Sequence, residues 1–413
     1  MNRHPIRTLW SLLAVVALVV AACGGGDGEG GGAGTTAGGD TGTTVAGGDT
    51  GTTVAGGDTG TTVAGGGTGT TVGGVAGEAP ACEPGQTDGD LNLYNWSEYI
   101  DPELLSAFEE EAGVAVSETF YDSNETMLAQ IQTGAVYDLI VPSDYMVEIM
   151  ITDGLLLPLQ KDAIPNIDNL AEEFQAPPYD PDLTYSVGYQ WGTTGLGVDT
   201  EVVGTDFPAS WGLVFDPAVT EPYAGQISLL NDARETLGAA LKYLGYSINS
   251  ESQEEVDAAA ALISDNIDRI TKFDSDLYTD DLVNGEVAVS HGYSGNFFTA
   301  FAATDNPERY AYVIPEEGAT LWTDNMAIPS GAEHPCTAHA FINFLLDAER
   351  GAQLTNWNYY ASPNEASAEF ILPEVLEDPT IYPPPDVRDG LEIIHNTGDF
   401  EIAYTDAFAA AKS

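Results

Sequence analysis

The residues with chemistry to offer fall in short segments: Trp96, Ser97 and Tyr99 in NWSEY, and Ser143, Asp144 and Tyr145 in PSDY. Asp232 and Glu235 stand in NDARE, Tyr293 in HGYSG, Trp322 and Asp324 in LWTDN, and Tyr360 in YYASP. Aromatic faces hold alkyl chains and attract ammonium groups, and carboxylates accept charge-assisted hydrogen bonds from them. Among these loops no lysine or cysteine appears, and His291 is the one histidine. Taken together, the residue types suit a slender organic cation held without bond-making, and call for neither metal nor cofactor.

Each element also has a plainer account. Trp96 and Tyr99 could close the base of the helix beginning near residue 101. Asp232 and Glu235 match an N-terminal cap with an acidic partner at the third helical position. Asp144 could cap the helix after PS, Asp324 could form a turn, Tyr293 could pack on Trp322, and Arg234 suits a structural ion pair. As for catalysis, a glycosidase needs two carboxylates about 5 to 9.5 Å apart, and no spacing here selects such a pair. Ser143 and His291 lack the GxSxG elbow of a serine nucleophile. A P-loop, a dinucleotide fingerprint and HExxH are missing too, so a non-enzymatic binding role is expected.

What positions these residues is an alternation of short apolar runs and helical stretches from Leu91 onward. LNLYN reads as a strand; DPELLSAFEEEAG as a helix capped by Asp101, with Pro102 first and Leu104, Leu105 and Phe108 on one face. VAVSETF, SNETMLAQIQTG with a Ser123 or Asn124 cap, and DLIVPS continue the pattern as strand, helix and buried strand. This order implies a largely parallel sheet with loops at the strand ends facing ligand. A second unit begins near residue 200: strand QISLLND, helix ARETLGAALKYLG, helix EEVDAAAALISDNIDRI, strand in EVAVSHGY, then AYVIP and TLWTDNMAIP, then the helical CTAHAFINFLLDAERGAQLTNW. Two α/β lobes exchanging chain would face each other across a cleft.

The chain has 413 residues, 43% of them hydrophobic, enough for a substantial core. Its 11 Lys and Arg stand against 65 Asp and Glu, a formal net charge of -54. Such a surface repels nucleic acid and anionic headgroups and attracts cations. The excess acid reads either as a solvated coat suited to an unusual medium or as a field that concentrates a cationic ligand.

At the N-terminus, Arg3 and Arg7 precede an apolar run to Ala22, too short for a comfortable span and of signal-peptide shape. Val20-Ala21-Ala22-Cys23 resembles a bacterial lipoprotein cleavage box, so residues 1–22 are expected to be removed and Cys23 to carry lipid. Residues 23–85 form a Gly- and Thr-rich tether containing GTTVAGGDT twice, too poor in core residues for a β-solenoid. Its reach as a flexible coil is roughly 40 Å. Cys82 and Cys336 remain after processing; an exported compartment permits a bond between them, and two unpaired thiols are the alternative.

LYNWSEYIDPELLSAFEEEAG, YDSNETMLAQIQTG, YDLIVPSDYMVE, DLTYSVGYQWGTTGLGVD, NDARETLGAALKYLGYS, LWTDNMAIP and YYASPNEAS resemble, in order, the spermidine/putrescine-binding proteins of bacterial ABC importers. The resemblance implies a type II periplasmic-binding-protein fold, two α/β lobes joined by crossing strands. It divides the body into a first lobe over 90–198, a second over 199–322, a return to the first over 323–365, and C-terminal helices largely on the second over 366–413. By resemblance Trp96, Ser97, Tyr99, Ser143, Tyr145, Trp322, Asp324 and Tyr360 would line the cleft, with Asp232 and Glu235 receiving a terminal amine. Asp144 would serve a further nitrogen or only cap. Tyr293 stands where a relative has Trp, and the apolar Ile394 where relatives of the spermidine type carry Gln. The implied protein is a monomeric body, exported and lipid-anchored outside the cytoplasmic membrane, that closes on a polyamine and docks on an ABC permease with a cytoplasmic ATPase. A sensor or scavenger, or a binding protein for another small organic cation, is the alternative reading.

Overall fold

The computed structural model describes residues 81–413; the expected leader, the lipidation site Cys23 and the tether as far as residue 80 lie outside the described residues. In the first lobe, β1 (Leu91–Trp96) pairs in parallel with β2 (Val116–Tyr121) and β3 (Leu139–Ile140). The Pro102–Ala112 helix starts as its sequence dictates: Asp101 accepts from the Glu103 N–H, Pro102 occupies the first turn, and Gly113 closes it at φ 70. Its buried Leu104 and Phe108 pack with Leu91, Leu93 and the rings of Phe341 and Phe344.

The connection between lobes is β4 (Ser186–Asp199), buried along all 14 residues. Up to Thr193 it pairs antiparallel with β9 (Leu321–Ala327), which also meets β3. From Thr194 onward it pairs instead with β7 (Val289–Tyr293) and β8 (Tyr310–Val313), and β7 continues to β5 (Ile227–Leu229) and β6 (Ile270–Phe273). The path β2-β1-β3-β9-β4-β7-β5-β6 therefore runs through both lobes. The glycines of SVGYQWGTTGLGVD argue against a strand interior, yet they are what lets aromatics lie on it. A Cβ at Gly192 would come within 2.7 Å of the Trp322 ring. The second lobe's own core gathers Leu196, Val198, Trp211, Phe215, Leu237 and Ile263.

Several expectations are corrected. In DLIVPS the strand is reduced to Leu139–Ile140, with Ser143 adding an isolated bridge to Asp324, because the chain turns at Pro142 into the Asp144–Thr152 helix. The helix expected through Ile270 is Gln253–Asp265: the Asn266 side chain bonds back to the Leu262 carbonyl and ends it, freeing Ile270 to enter β6. The long helical stretch after Cys336 is two helices, Pro335–Leu345 and Ala348–Asn358, the second capped by Asp347. Segment 366–413 divides. Ile371, Val375 and Ile381 pack with Trp191 and Ala361, whereas Tyr404 and Phe408 join the second-lobe core.

Cys82 and Cys336 form a disulfide closing 254 residues of chain, and the Cys82 N–H donates to Gln160 Oε1. Closing a loop of that length restricts the unfolded chain by about 5 kcal/mol in the chain-entropy model. A Cys82→Ser/Cys336→Ser variant is expected to melt clearly below the parent in a calorimetric scan while keeping its ligand affinity. An unchanged melting temperature would show that the bond does not stabilise the body.

Candidate functional site

A cavity of about 680 Å³ opens between the lobes, and every ligand-contact residue expected from the sequence lines it: Trp96, Ser97, Tyr99, Ser143, Asp144, Tyr145, Asp232, Glu235, Tyr293, Trp322, Asp324 and Tyr360. The first lobe supplies the turn after β1, the turn after β3, and β9. The second supplies the start of the Ala233–Tyr243 helix and the end of β7. This follows from the topology, since the parallel strands β1 and β3 deliver their carboxyl ends to the same side.

The wall is a continuous run of rings. Tyr99 meets Tyr360 edge-on at 5.2 Å, Tyr360 meets Trp322 at 5.2 Å, and Trp322 meets Tyr293 at 6.1 Å. Trp96 stacks obliquely on Tyr121 at 4.5 Å and donates its indole N–H to the Val141 carbonyl. Tyr360 also reaches across to the Ser294–Ala302 helix of the opposite lobe, where its hydroxyl bonds to Asn296 Oδ1. A Cβ at Gly295 would lie 2.6 Å from the Tyr360 ring, so glycine is required for that approach. Tyr293 does pack on Trp322, and Tyr99 shares the first-lobe core with Leu104 and Phe108 of the Pro102–Ala112 helix, with Trp96 packed against that core.

Carboxylates stand at the two ends of this wall. At one, Asp324 accepts from Ser143 Oγ at 2.7 Å, and Asn124 fixes that serine by donating to its oxygen and accepting from its N–H. The Tyr99 hydroxyl favours the charged form of Asp324. Burial, to 6% exposure, nevertheless pushes Asp324 up to about 7. Asp144 is 1% exposed and is pushed by burial up to about 8, although the Thr323 and Tyr145 N–H groups donate to it. It does not cap its helix. Ser143 holds the cap position, and Asp144 ties that helix to β9.

At the other end, Asp232 caps the Ala233–Tyr243 helix, accepting from the Glu235 N–H at 2.9 Å. The reciprocal half of a capping box is not made. Glu235 turns away and accepts from Thr194 Oγ1 at 3.0 Å and Thr320 Oγ1 at 2.8 Å. Thr194 lies on β4 and Thr320 immediately precedes β9, the two strands that cross between lobes, so a second-lobe carboxylate is held at the hinge. Burial first, and the Asp232 charge second, push Glu235 up to about 8. Arg234 is taken up elsewhere: it pairs with Glu401 and stacks on Tyr404.

Sequence reasoning missed Asn124, Glu98, Tyr278 and Asn296 as lining residues. SNETM offers Ser123 or Asn124 as the cap; Ser123 caps, leaving Asn124 to organise Ser143. Glu98 adopts φ 54 between two cavity residues, a conformation sequence spacing does not reveal. Ile394 also lines the cavity.

These pKa shifts have a sign for stability. Asp144, Glu235 and Asp324 are raised on folding, so between their unfolded and folded values the native state binds more protons than the unfolded chain, and stability falls as pH rises. Buried His291 is lowered to about 3 by burial and acts oppositely, losing its contribution only as pH falls below its ordinary 6.5. From pH 6.5 to 8.5 the carboxylates dominate, each contributing on the order of 1 kcal/mol per pH unit while it titrates. The melting temperature of the ligand-free protein is expected to fall across that window, and Glu235→Gln to flatten the fall. A flat or rising profile in the parent would contradict the buried-carboxylate electrostatics.

Residues 103–383 match the family described as bacterial extracellular solute-binding protein. The chain is 34% identical over 325 residues to the spermidine/putrescine-binding periplasmic protein of Escherichia coli (strain K12), covering 78% of this chain and 91% of that one. It is 35% identical over 309 residues to the putrescine/cadaverine-binding protein of Pseudomonas aeruginosa, covering 73% and 87%. Among solved structures, the substrate-binding protein of a spermidine/putrescine ABC transporter from Streptococcus pneumoniae superposes with a TM-score of 0.68 at 33% identity, covering 79% of this chain and 99% of that one. A lipoprotein of Treponema pallidum does so at 0.69 and 31%, covering 78% and 99%. With its lobes, crossing strands and shared cleft of the same build, the chain belongs to the bacterial extracellular solute-binding proteins.

Proposed function

We propose that this protein captures polyamines, spermidine and putrescine among them, outside the cytoplasmic membrane and delivers them to an ABC permease powered by a cytoplasmic ATPase. The observation that carries the reading is the pairing of an aromatic wall with buried carboxylates at both its ends, contributed by opposite lobes. An alkyl chain lies against the rings, one ammonium meets Asp324 and another meets Asp232 and Glu235. Neither lobe completes the set alone, so ligand favours the closed arrangement by its differential affinity for it. The work is binding, and no step makes or breaks a bond in the ligand. The names of the relatives support the ligand class and the permease. Export follows from the same likeness; attachment through lipid on Cys23 and a monomeric body belong to the proposal.

Buried carboxylates near neutral pKa give the reading a thermodynamic signature. An arriving ammonium stabilises their ionised forms, so binding at pH 7 displaces protons. Calorimetric titrations of the full chain with putrescine, spermidine and spermine in buffers of different ionisation enthalpy are expected to show proton release, with affinity rising from pH 6 to 8. Neutral diols of matching length should not bind. Diols that bind as well as the amines would remove ion pairing from the account.

Asp324→Asn is expected to weaken polyamine binding about 10- to 100-fold, the loss of a charge-assisted hydrogen bond, with melting of the empty protein unchanged or raised. Unaltered affinity would take Asp324 out of the site.

A further inference from the structure

Asn124 opens the Asn124–Gln132 helix, but the preceding Ser123 does the capping, so the Asn124 side chain is released from that task and lies buried at 5% exposure. Its carboxamide meets the first-lobe wall of the cleft at three points. The Ser143 N–H donates to Oδ1 at 3.1 Å, which fixes which way the amide faces. The NH2 group then donates to Ser143 Oγ at 3.0 Å and to the Tyr145 hydroxyl at 3.1 Å. Each hydroxyl passes a hydrogen bond on to a carboxylate, Ser143 to Asp324 at 2.7 Å and Tyr145 to Glu125 at 3.0 Å.

An amide NH2 offers two donors and accepts nothing, and a hydroxyl has a single proton. Ser143 and Tyr145 must therefore accept from Asn124, and both spend their one proton on a carboxylate. What Ser143 keeps for the cleft is a lone pair. A group bringing N–H donors finds an acceptor there, and one bringing an acceptor finds no proton. The same bond bears on charge: burial raises Asp324, and the Ser143 hydroxyl acts against that rise.

We infer that Asn124 is a positioning residue whose two amide donors set the direction of the Ser143 and Tyr145 hydroxyl protons, so that this end of the cleft presents acceptors, and no donor, to an arriving ammonium. The inference deepens the polyamine reading, on which the identity of the ligand rests, while the relay itself is a property of the empty protein.

The first test therefore uses no ligand. Carboxyl-carbon NMR of the ligand-free full chain follows the titration of Asp324, assigned with Asp324→Asn, across the neutral range in the parent, Asn124→Leu, Ser143→Ala and the double variant. Asp324 is faced by Tyr99, Tyr121, Tyr179, Tyr189, Tyr360 and Asp144. Burial pushes the five phenols up and out of this range, and Asp144 is common to all four proteins. Asn124→Leu is expected to raise the Asp324 midpoint by about half a pH unit and Ser143→Ala by at least as much, with the double variant going no further than Ser143→Ala. A midpoint unmoved by Asn124→Leu, or moved equally with and without the Ser143 hydroxyl, would overturn the inference. Should Asn124→Leu melt well below the parent, Asn124→Asp replaces it. That variant keeps the acceptor for the Ser143 N–H, and its added charge acts whether or not the Ser143 hydroxyl is present, so the comparison still isolates the relay. In calorimetry Asn124→Leu is expected to weaken spermidine and putrescine alike, about fivefold at neutral pH, and less at higher pH where Asp324 is ionised in every variant. A loss of the same size at every pH would make Asn124 a structural support only and overturn its positioning role. A parent chain that binds neither amine overturns the polyamine reading, and the Asp324 titration then decides the relay by itself.

Discussion

Carboxylic acids prefer water, and this fold withholds water from several of them at once. Asp144, Glu235 and Asp324 are nearly inaccessible, and among the described residues no lysine or arginine is paired with any of them. An ionised group in such a place is expensive unless a counter-charge arrives. The protein supplies hydroxyls and backbone N–H groups, enough to hold the carboxylates in position but not to neutralise them. On the proposed reading, that incompletely compensated burial would favour a cationic occupant and couple its binding to proton release.

The same groups couple the site to the hinge. Glu235 rides on a second-lobe helix but bonds to Thr194 and Thr320, where β4 and β9 pass from one lobe to the other. A ligand that draws on Glu235 therefore acts where relative lobe motion would be concentrated. At the far end Asp324 lies on β9 itself, bonded to Ser143 of the first lobe. Both ends of the groove report to strands that belong to neither lobe alone, so an occupant of the cleft would act on the strands that join the lobes.

The aromatic wall contributes rigidity as much as affinity. Tyr99, Tyr360, Trp322 and Tyr293 brace one another edge to face, a geometry that holds each ring without a hydrogen bond. Their backing depends on residues with no side chain: Gly192 under Trp322 and Gly295 under Tyr360. Preorganised walls reduce the entropy the protein must lose when its cleft is occupied, so more of the contact energy appears as affinity.

Much of this was legible in the sequence because it is local. Asp101 and Pro102 open a helix wherever they stand before an amphipathic run, Asp232 caps the helix that begins at the alanine of NDARE, and the loops already carried the aromatics and carboxylates that line the cleft. The long strand β4 was not legible as a strand, since its glycines weaken any local preference, and their purpose lies in rings more than a hundred residues away. Nor could the sequence say that Asp144 would bond Thr323 instead of capping, or that Glu235 would abandon the capping box for Thr320. Those choices are made between groups separated by 179 and 85 residues. By itself the sequence determined helix starts such as those at Asp101 and Asp232 and the composition of the loops, consequences of short-range sterics and residue chemistry. Tertiary structure alone decided which carboxylates lose their water and which hydroxyls meet them, because desolvation depends on everything that surrounds a group and not on its neighbours in the chain.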